Sequence, residues 1–222
     1  MNEHSLHSEI KEWYTIPGDK TEVRIGDFII DITRGTLLIE IQTRNFSAIK
    51  RKLSSLVRNY EVRLVHPIPE RKWVVRVAET GDVLGRRKSP RKGRLVDVFY
   101  ELVRISDLVD NENFSLEVLM IEEEEIRCND GKGTWRRKGA SIKDAKLINV
   151  NSKQLFKSRR DFLTFLPDDL VDPFTNRTLA NQARVSIPLA RKITYCLRKM
   201  GGITYVGKKR REMMFQKTLS NN

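Results

Sequence analysis

Near the start of the chain, Asp27-Phe28-Ile29-Ile30-Asp31-Ile32-Thr33-Arg34-Gly35-Thr36-Leu37-Leu38-Ile39-Glu40-Ile41-Gln42-Thr43 leaves few choices of fold. Two apolar runs meet at Arg34-Gly35-Thr36, a tight turn, so the segment reads as a β-hairpin. Side chains alternate faces along a strand. Glu40 and Gln42 therefore share one face, and Ile39 and Ile41 point to the other. With the turn centred on Gly35, Asp31 lies opposite Glu40. Strands apolar on both faces are central strands. A carboxylate set among such neighbours needs a partner, and a metal ion is one. Two hard oxygen ligands suit Mg²⁺ (or Mn²⁺), which keeps waters and meets substrate phosphate.

The elements around the hairpin follow from period and punctuation. Ser5–Tyr14 reads as a short helix ended by Pro17-Gly18-Asp19, and Thr21–Ile25 as a first strand. Asn45 or Ser47 caps a helix running to Asn59, with Phe46, Ile49, Leu53, Leu56 and Val57 on one face. Glu61–His66 reads as a strand stopped by Pro67 and Pro69, and Lys72–Glu79 as another.

The hairpin with its two carboxylates resembles the PD-(D/E)XK nuclease superfamily, over roughly residues 4–80. Asp31 matches the family's Asp and Glu40 its Glu. Gln42 falls where the family usually has Lys. The order helix, strands, helix, strand is that of a nuclease core. The family often has a Glu on the helix before the hairpin, and here Glu9 and Glu12 are the candidates. The resemblance implies a catalytic set of Asp31, Glu40, Gln42 and Glu9. It also implies a Mg²⁺ or Mn²⁺ ion on Asp31 and Glu40, with the backbone carbonyl of Ile41. Such an ion would polarise the scissile phosphate and activate a water. Gln42 would orient that water, and Arg44, Lys50 and Lys52 would supply the positive charge that Lys gives. His66, before Pro67, is read as a structural histidine near the site.

The chain of 222 residues carries a net charge of +13, and a surplus of that size favours a nucleic-acid partner. It is uneven: residues 153–222 hold 15 Lys/Arg and 5 Asp/Glu, against 27 and 24 in residues 1–152. Gly85–Arg94, GRRKSPRKGR, holds six basic residues in ten and no acid. It reads as a surface loop, either a solvated linker or a phosphate clamp. Leu95–Ile105 is helix-like and Ser115–Cys128 strand-like. The acidic run Glu122–Glu125 is expected to face solvent or to pair with basic loops. Asn129-Asp130-Gly131-Lys132-Gly133 is a turn, and Trp135–Val150 returns as one or two strands. Trp13, Trp73 and Trp135 read as core or rim residues. Cys128 and Cys196 match no metal spacing and suit reduced thiols in the cytoplasm. The polar N-terminus shows no signal peptide, and no apolar run is long enough to span a membrane.

Phe174–Met214 reads helix, turn, helix, hairpin. Asn176 or Thr175 starts the first helix. Ser186 caps the second, Pro188 sits in its first turn and Gly201-Gly202 ends it. Leu189, Ile193, Leu197 and Met200 make its core face. Arg191, Lys192, Thr194, Tyr195, Arg198 and Lys199 make the other. The strands that follow flank Lys208, Lys209, Arg210 and Arg211 at a basic tip. This resembles a winged helix-turn-helix domain, which implies DNA contacts from Arg191, Lys192, Tyr195, Arg198 and the tip, joined by Arg44 and Lys50. A winged helix used for protein contacts is the alternative.

The expectation is an α/β chain: a restriction-endonuclease-like mixed sheet with flanking helices over residues 1–152, then a small winged-helix domain over residues 153–222. The function that follows is a metal-dependent DNA endonuclease or DNA-processing protein. It would have DNA as partner, no membrane, a cytoplasmic setting and room for a homodimer. The alternative is a non-catalytic winged-helix regulator with a degenerate nuclease-like domain, and a third reading is an RNA-binding or assembly factor.

Overall fold

Leu6, Ile10 and Tyr14 recur at helical spacing, and that period makes α1, Ser5–Tyr14. The computed structural model describes residues 5–218. After α1 come three strands, β1 (Lys20–Ile25), β2 (Phe28–Arg34) and β3 (Leu37–Ile41), in an antiparallel meander. The turn between β2 and β3 places Gly35 at φ 57°, a conformation in which a Cβ costs energy. Then follow α2 (Phe46–Leu56), β4 (Val62–Val77), β5 (Val83–Lys88) and a 3-10 turn, Leu95–Val98, leading into α3 (Phe99–Leu102). β6 (Phe114–Cys128) and β7 (Ser141–Phe156) are long strands with a 3-10 turn, Trp135–Arg137, between them. The chain closes with α4 (Arg159–Leu163), β8 (Phe174–Thr175), α5 (Asn176–Gln182), α6 (Ile187–Lys199), β9 (Ile203–Lys209) and β10 (Glu212–Lys217).

The architecture is mixed α/β, with a large mixed sheet and flanking helices. That sheet has the order β1-β2-β3-β4-β6-β7, with β5 added on β4, and a second sheet runs β8-β10-β9. The described residues form two units. The first takes the chain up to Thr43, Leu64–Leu95 and Glu117–Gln154, and the second takes Arg44–Arg63, Val96–Leu116 and the chain from Leu155 on. The units are not sequential: two segments from within residues 1–152 fold with the C-terminal part.

In the first unit Leu6, Ile10 and Tyr14 pack with Ile32, Ile39, Ile41, Val65, Leu119 and Ile121. Each such buried side chain contributes about 1.5–3 kcal/mol. β4 does not stop at Pro67 and Pro69, as the sequence suggested, but runs through both. Proline removes a donor and keeps its acceptor, and the carbonyl of Pro69 accepts the Gly93 N–H at 2.9 Å. Gly85–Lys88 are strand rather than loop, paired with Arg76–Trp73 of β4.

The acidic run on β6 is absorbed by its neighbours. Trp73 Nε1–H donates to Glu122 at 2.6 Å, and Arg86 donates to Glu124 at 2.8 Å. Lys72 reaches Glu123 at 2.7 Å and Glu125 at 2.9 Å. Burial works against the charge on Lys72, but Glu123 and Glu125 outweigh it and hold its pKa above the ordinary lysine value.

In the second unit Phe156, Phe162, Phe165 and Phe99 form an aromatic cluster, with Phe156 stacked on Phe162 at 4.6 Å. α2 is not capped by its own sequence. Asn45 is left-handed with no side-chain cap, and Glu101 accepts the Phe46 N–H at 3.0 Å instead. Trp13 and Trp135 are not core residues: Trp135 is 83% exposed. Among the described residues, no helix is long and apolar enough to cross a membrane.

Candidate functional site

The β2–β3 register pairs Ile32 with Ile39, which leaves Asp31 and Glu40 next in line. The Ile41 N–H donates to Asp31 Oδ2 at 2.8 Å. Glu40 is buried, 2% exposed, while Asp31 is half-buried. His7, on α1, brings its Nε2 to 3.0 Å from the Ile41 carbonyl oxygen and 3.3 Å from Asp31 Oδ2. A carbonyl only accepts, so in this arrangement Nε2 carries the proton.

Gln42 is half-buried and its main chain is tied down twice. Its N–H donates to the Val65 carbonyl at 2.9 Å, and its own carbonyl accepts from His66 Nδ1 at 2.7 Å. His66 thus fixes the backbone that presents Gln42. Glu9 does not join the hairpin carboxylates. Its Oε2 accepts the Leu147 N–H of β7. Two residues apart on a helix point to different sides, and it is His7 that reaches the hairpin. Glu12 is exposed.

The second unit presents a basic groove. Ser186 caps α6 by accepting the Leu189 N–H at 3.3 Å, and Leu189, Ile193, Leu197 and Met200 are buried under the helix. That anchoring turns Arg191, Tyr195 and Arg198 outward. They line a groove of about 420 Å³ together with Arg177 of α5, Arg211 of the β9–β10 turn and Met213 of β10. One acid shares the groove: Glu212 pairs with Arg177 at 2.8 Å. Lys208, Lys209, Arg210 and Arg211 are all exposed around the turn between β9 and β10.

Two residues assigned to the outer face of α6 lie elsewhere. Thr194 is buried and donates to Asn176 Oδ1 at 2.7 Å. Lys192 lies over the Tyr100 ring, 5.8 Å from its centroid, and does not line the groove. Lys50 is held by Asp107 at 2.9 Å, which offsets its charge, while Arg44 is exposed just before α2. Cys196 lies on the buried side of α6, and burial pushes its thiol up to about 12.

Sequence reasoning missed His7 and Arg177. His7 had one faint signal, its place beside Leu6 on an amphipathic helix preceding the hairpin. Arg177 had none, since only the fold brings α5 beside β10.

No solved structure matches this chain. An uncharacterized protein of Treponema pallidum (strain Nichols) is 30% identical over 217 residues, which is 97% of this chain and 85% of that protein. The likeness runs through both units. A family model covers residues 4–157, most of the chain, and stops just before α4. On that match the chain belongs to the family described as Domain of unknown function (DUF8091).

Proposed function

We propose that this protein binds duplex DNA through a winged helix in its second unit and processes it with a nuclease-like site in its first. The observation that carries the DNA reading is the groove where Arg191, Tyr195 and Arg198 of α6 meet Arg211 of the β9–β10 turn. The order α4, β8, α5, α6, β9, β10 and the basic β9–β10 turn support a winged helix, with α6 as the helix that enters the major groove. Arginine and tyrosine on that helix supply base-edge donors, and the turn supplies phosphate contacts.

The nuclease-like reading is supported by α1 and the meander β1-β2-β3 with β4 next to β3, and by Asp31 and Glu40 at adjoining positions. Two close approaches support reading a divalent cation here. His7 Nε2 is 3.0 Å from one oxygen and 3.3 Å from another. Ligands at right angles around an ion with bonds of ~2.1 Å lie about 3 Å apart. Asp31, the Ile41 carbonyl and a deprotonated His7 would hold the ion, with Glu40 alongside, and a nitrogen among the oxygens favours Mn²⁺ over Mg²⁺. When bound, the ion would supply charge stabilisation at a phosphate and a lower pKa for a bound water. His66 holds the main chain of Gln42, and the Gln42 amide would orient a water or a phosphate oxygen.

A second reading, a non-catalytic regulator, is favoured by one observation: Asp31 is engaged by Ile41 and His7, and Gln42 brings no charge. Plasmid cleavage and Mn²⁺ thermal shift separate the two. A nuclease cuts with Mn²⁺ and is stabilised by it, and both effects vanish in Asp31→Asn and in His7→Ala. A protein that binds duplex DNA, leaves it intact and shows no Asp31-dependent shift is the regulator.

A further inference from the structure

We infer that Arg86–Arg94 in the first unit is a second nucleic-acid contact, gripping the phosphate backbone independently of α6. The inference rests on the DNA reading above and extends it to a segment of the other unit.

The composition alone allows a loose linker, but the backbone is fastened along its length. β5 pairs with β4 at Val74↔Arg87 and Trp73↔Lys88. Beyond the strand, the Ser89 N–H donates to the Lys72 carbonyl at 2.8 Å and the Gly93 N–H to the Pro69 carbonyl at 2.9 Å. A Cβ at Gly93 would lie 2.6 Å from Pro69 O and 2.7 Å from Ile68 Cγ2, so only glycine allows the chain to lie this close to β4. A linker has no need of such a seat.

The charges on this backbone are mostly uncompensated. Arg86 lies on the Trp73 ring, 4.0 Å from its centroid, and is paired with Glu124. Arg87, Arg91 and Lys92 are exposed and have no ion pair among the described residues. Arg76, also exposed, follows Val74 by two positions on β4 and so shares a face with Arg87. Holding like charges close together works against the fold, and a polyanion reverses that by releasing its own counterions. Phosphate-backbone binding needs exposed cations on a fastened backbone and no base readout, which is what this segment offers. A lipid surface fits less well: Val83 and Leu84 are the only exposed large apolar side chains on β5, a small anchor.

The test uses the full chain and a duplex oligonucleotide, with affinity measured by fluorescence anisotropy across a salt series. Arg87→Ala/Arg91→Ala/Lys92→Ala should flatten the slope of log K against log salt by about 2–3, near 0.9 for each phosphate no longer neutralised. It should leave the thermal midpoint and any sequence preference unchanged. Arg191→Ala/Arg198→Ala is the control for the other surface. If the triple variant keeps the wild-type slope while the α6 variant loses affinity, the inference falls and the winged-helix reading stands. If the triple variant loses affinity and the α6 variant does not, the inference stands and the winged-helix reading falls. A wild type with no affinity for duplex DNA at low salt ends both. Loss of binding to phosphatidylserine vesicles in the triple variant, with DNA affinity intact, would overturn the inference in favour of a membrane surface.

Discussion

Between β2 and β3 the chain turns at Gly35, φ 57°, and between β9 and β10 it turns through Arg210, φ 56°. Both hairpins are antiparallel. They differ in where their charged groups lie. β3 is buried at four consecutive positions, and the carboxylate opposite it, Asp31, is engaged by a main-chain N–H and a histidine. The β9–β10 turn is exposed, and Lys208, Lys209, Arg210 and Arg211 project from it into solvent. The same local geometry therefore yields two kinds of charge. One is fixed by desolvation into a defined constellation, and the other stays solvated and free to meet a large partner. Burial, not the hairpin itself, makes that difference.

The largest effect that can break this contrast is on DNA. Replacing Lys208, Lys209, Arg210 and Arg211 by alanine should flatten the salt dependence of binding by roughly 3–4 in log–log slope, if each meets one phosphate. Stability should change by less than about 1 kcal/mol, as for exposed side chains generally. If this variant unfolds, the tip is not a solvated surface. A smaller effect is expected at the buried hairpin. Asp31→Ala removes the acceptor of the Ile41 N–H and should cost about 2 kcal/mol in urea denaturation, the range for a buried donor left without its bond. Asp31→Asn keeps an acceptor oxygen and should cost clearly less. A neutral Asp31→Ala would mean that desolvation does not define the constellation. The smallest effects sharpen the turns. Gly35→Ala should lower stability by about 1 kcal/mol, and Arg210→Gly should raise it by a fraction of that, because only the second exchange relieves a left-handed side chain. Differential scanning calorimetry reads both signs, and equal signs would show that the two turns are not comparable.

What the sequence revealed follows the range of the forces involved. The β2–β3 register was legible because a turn at Gly35 and alternation of side chains are local, and α6 because Ser186, Pro188 and its four-residue apolar period all lie within one helix. His7 was not, since its place at Asp31 depends on how α1 lies on the sheet. Glu9 looked available for the same reason: nothing local shows that the Leu147 N–H takes it. The cap of α2 is another long-range effect, with Glu101 doing from α3 what Asn45 or Ser47 would do from next door. Pro67 and Pro69 misled in the opposite direction. Their local rule, that proline ends a strand, gave way to a neighbour that needs only the Pro69 carbonyl.

β5 has a consequence for how copies of this protein treat one another. Among the described residues it pairs with β4 alone, which leaves its other edge without a strand partner. An open rim is where sheets polymerise. Here an identical rim from a second copy would bring a second set of Arg86, Arg87 and Lys88 close to the first. Cations on such an edge disfavour self-addition while remaining attractive to anything negatively charged.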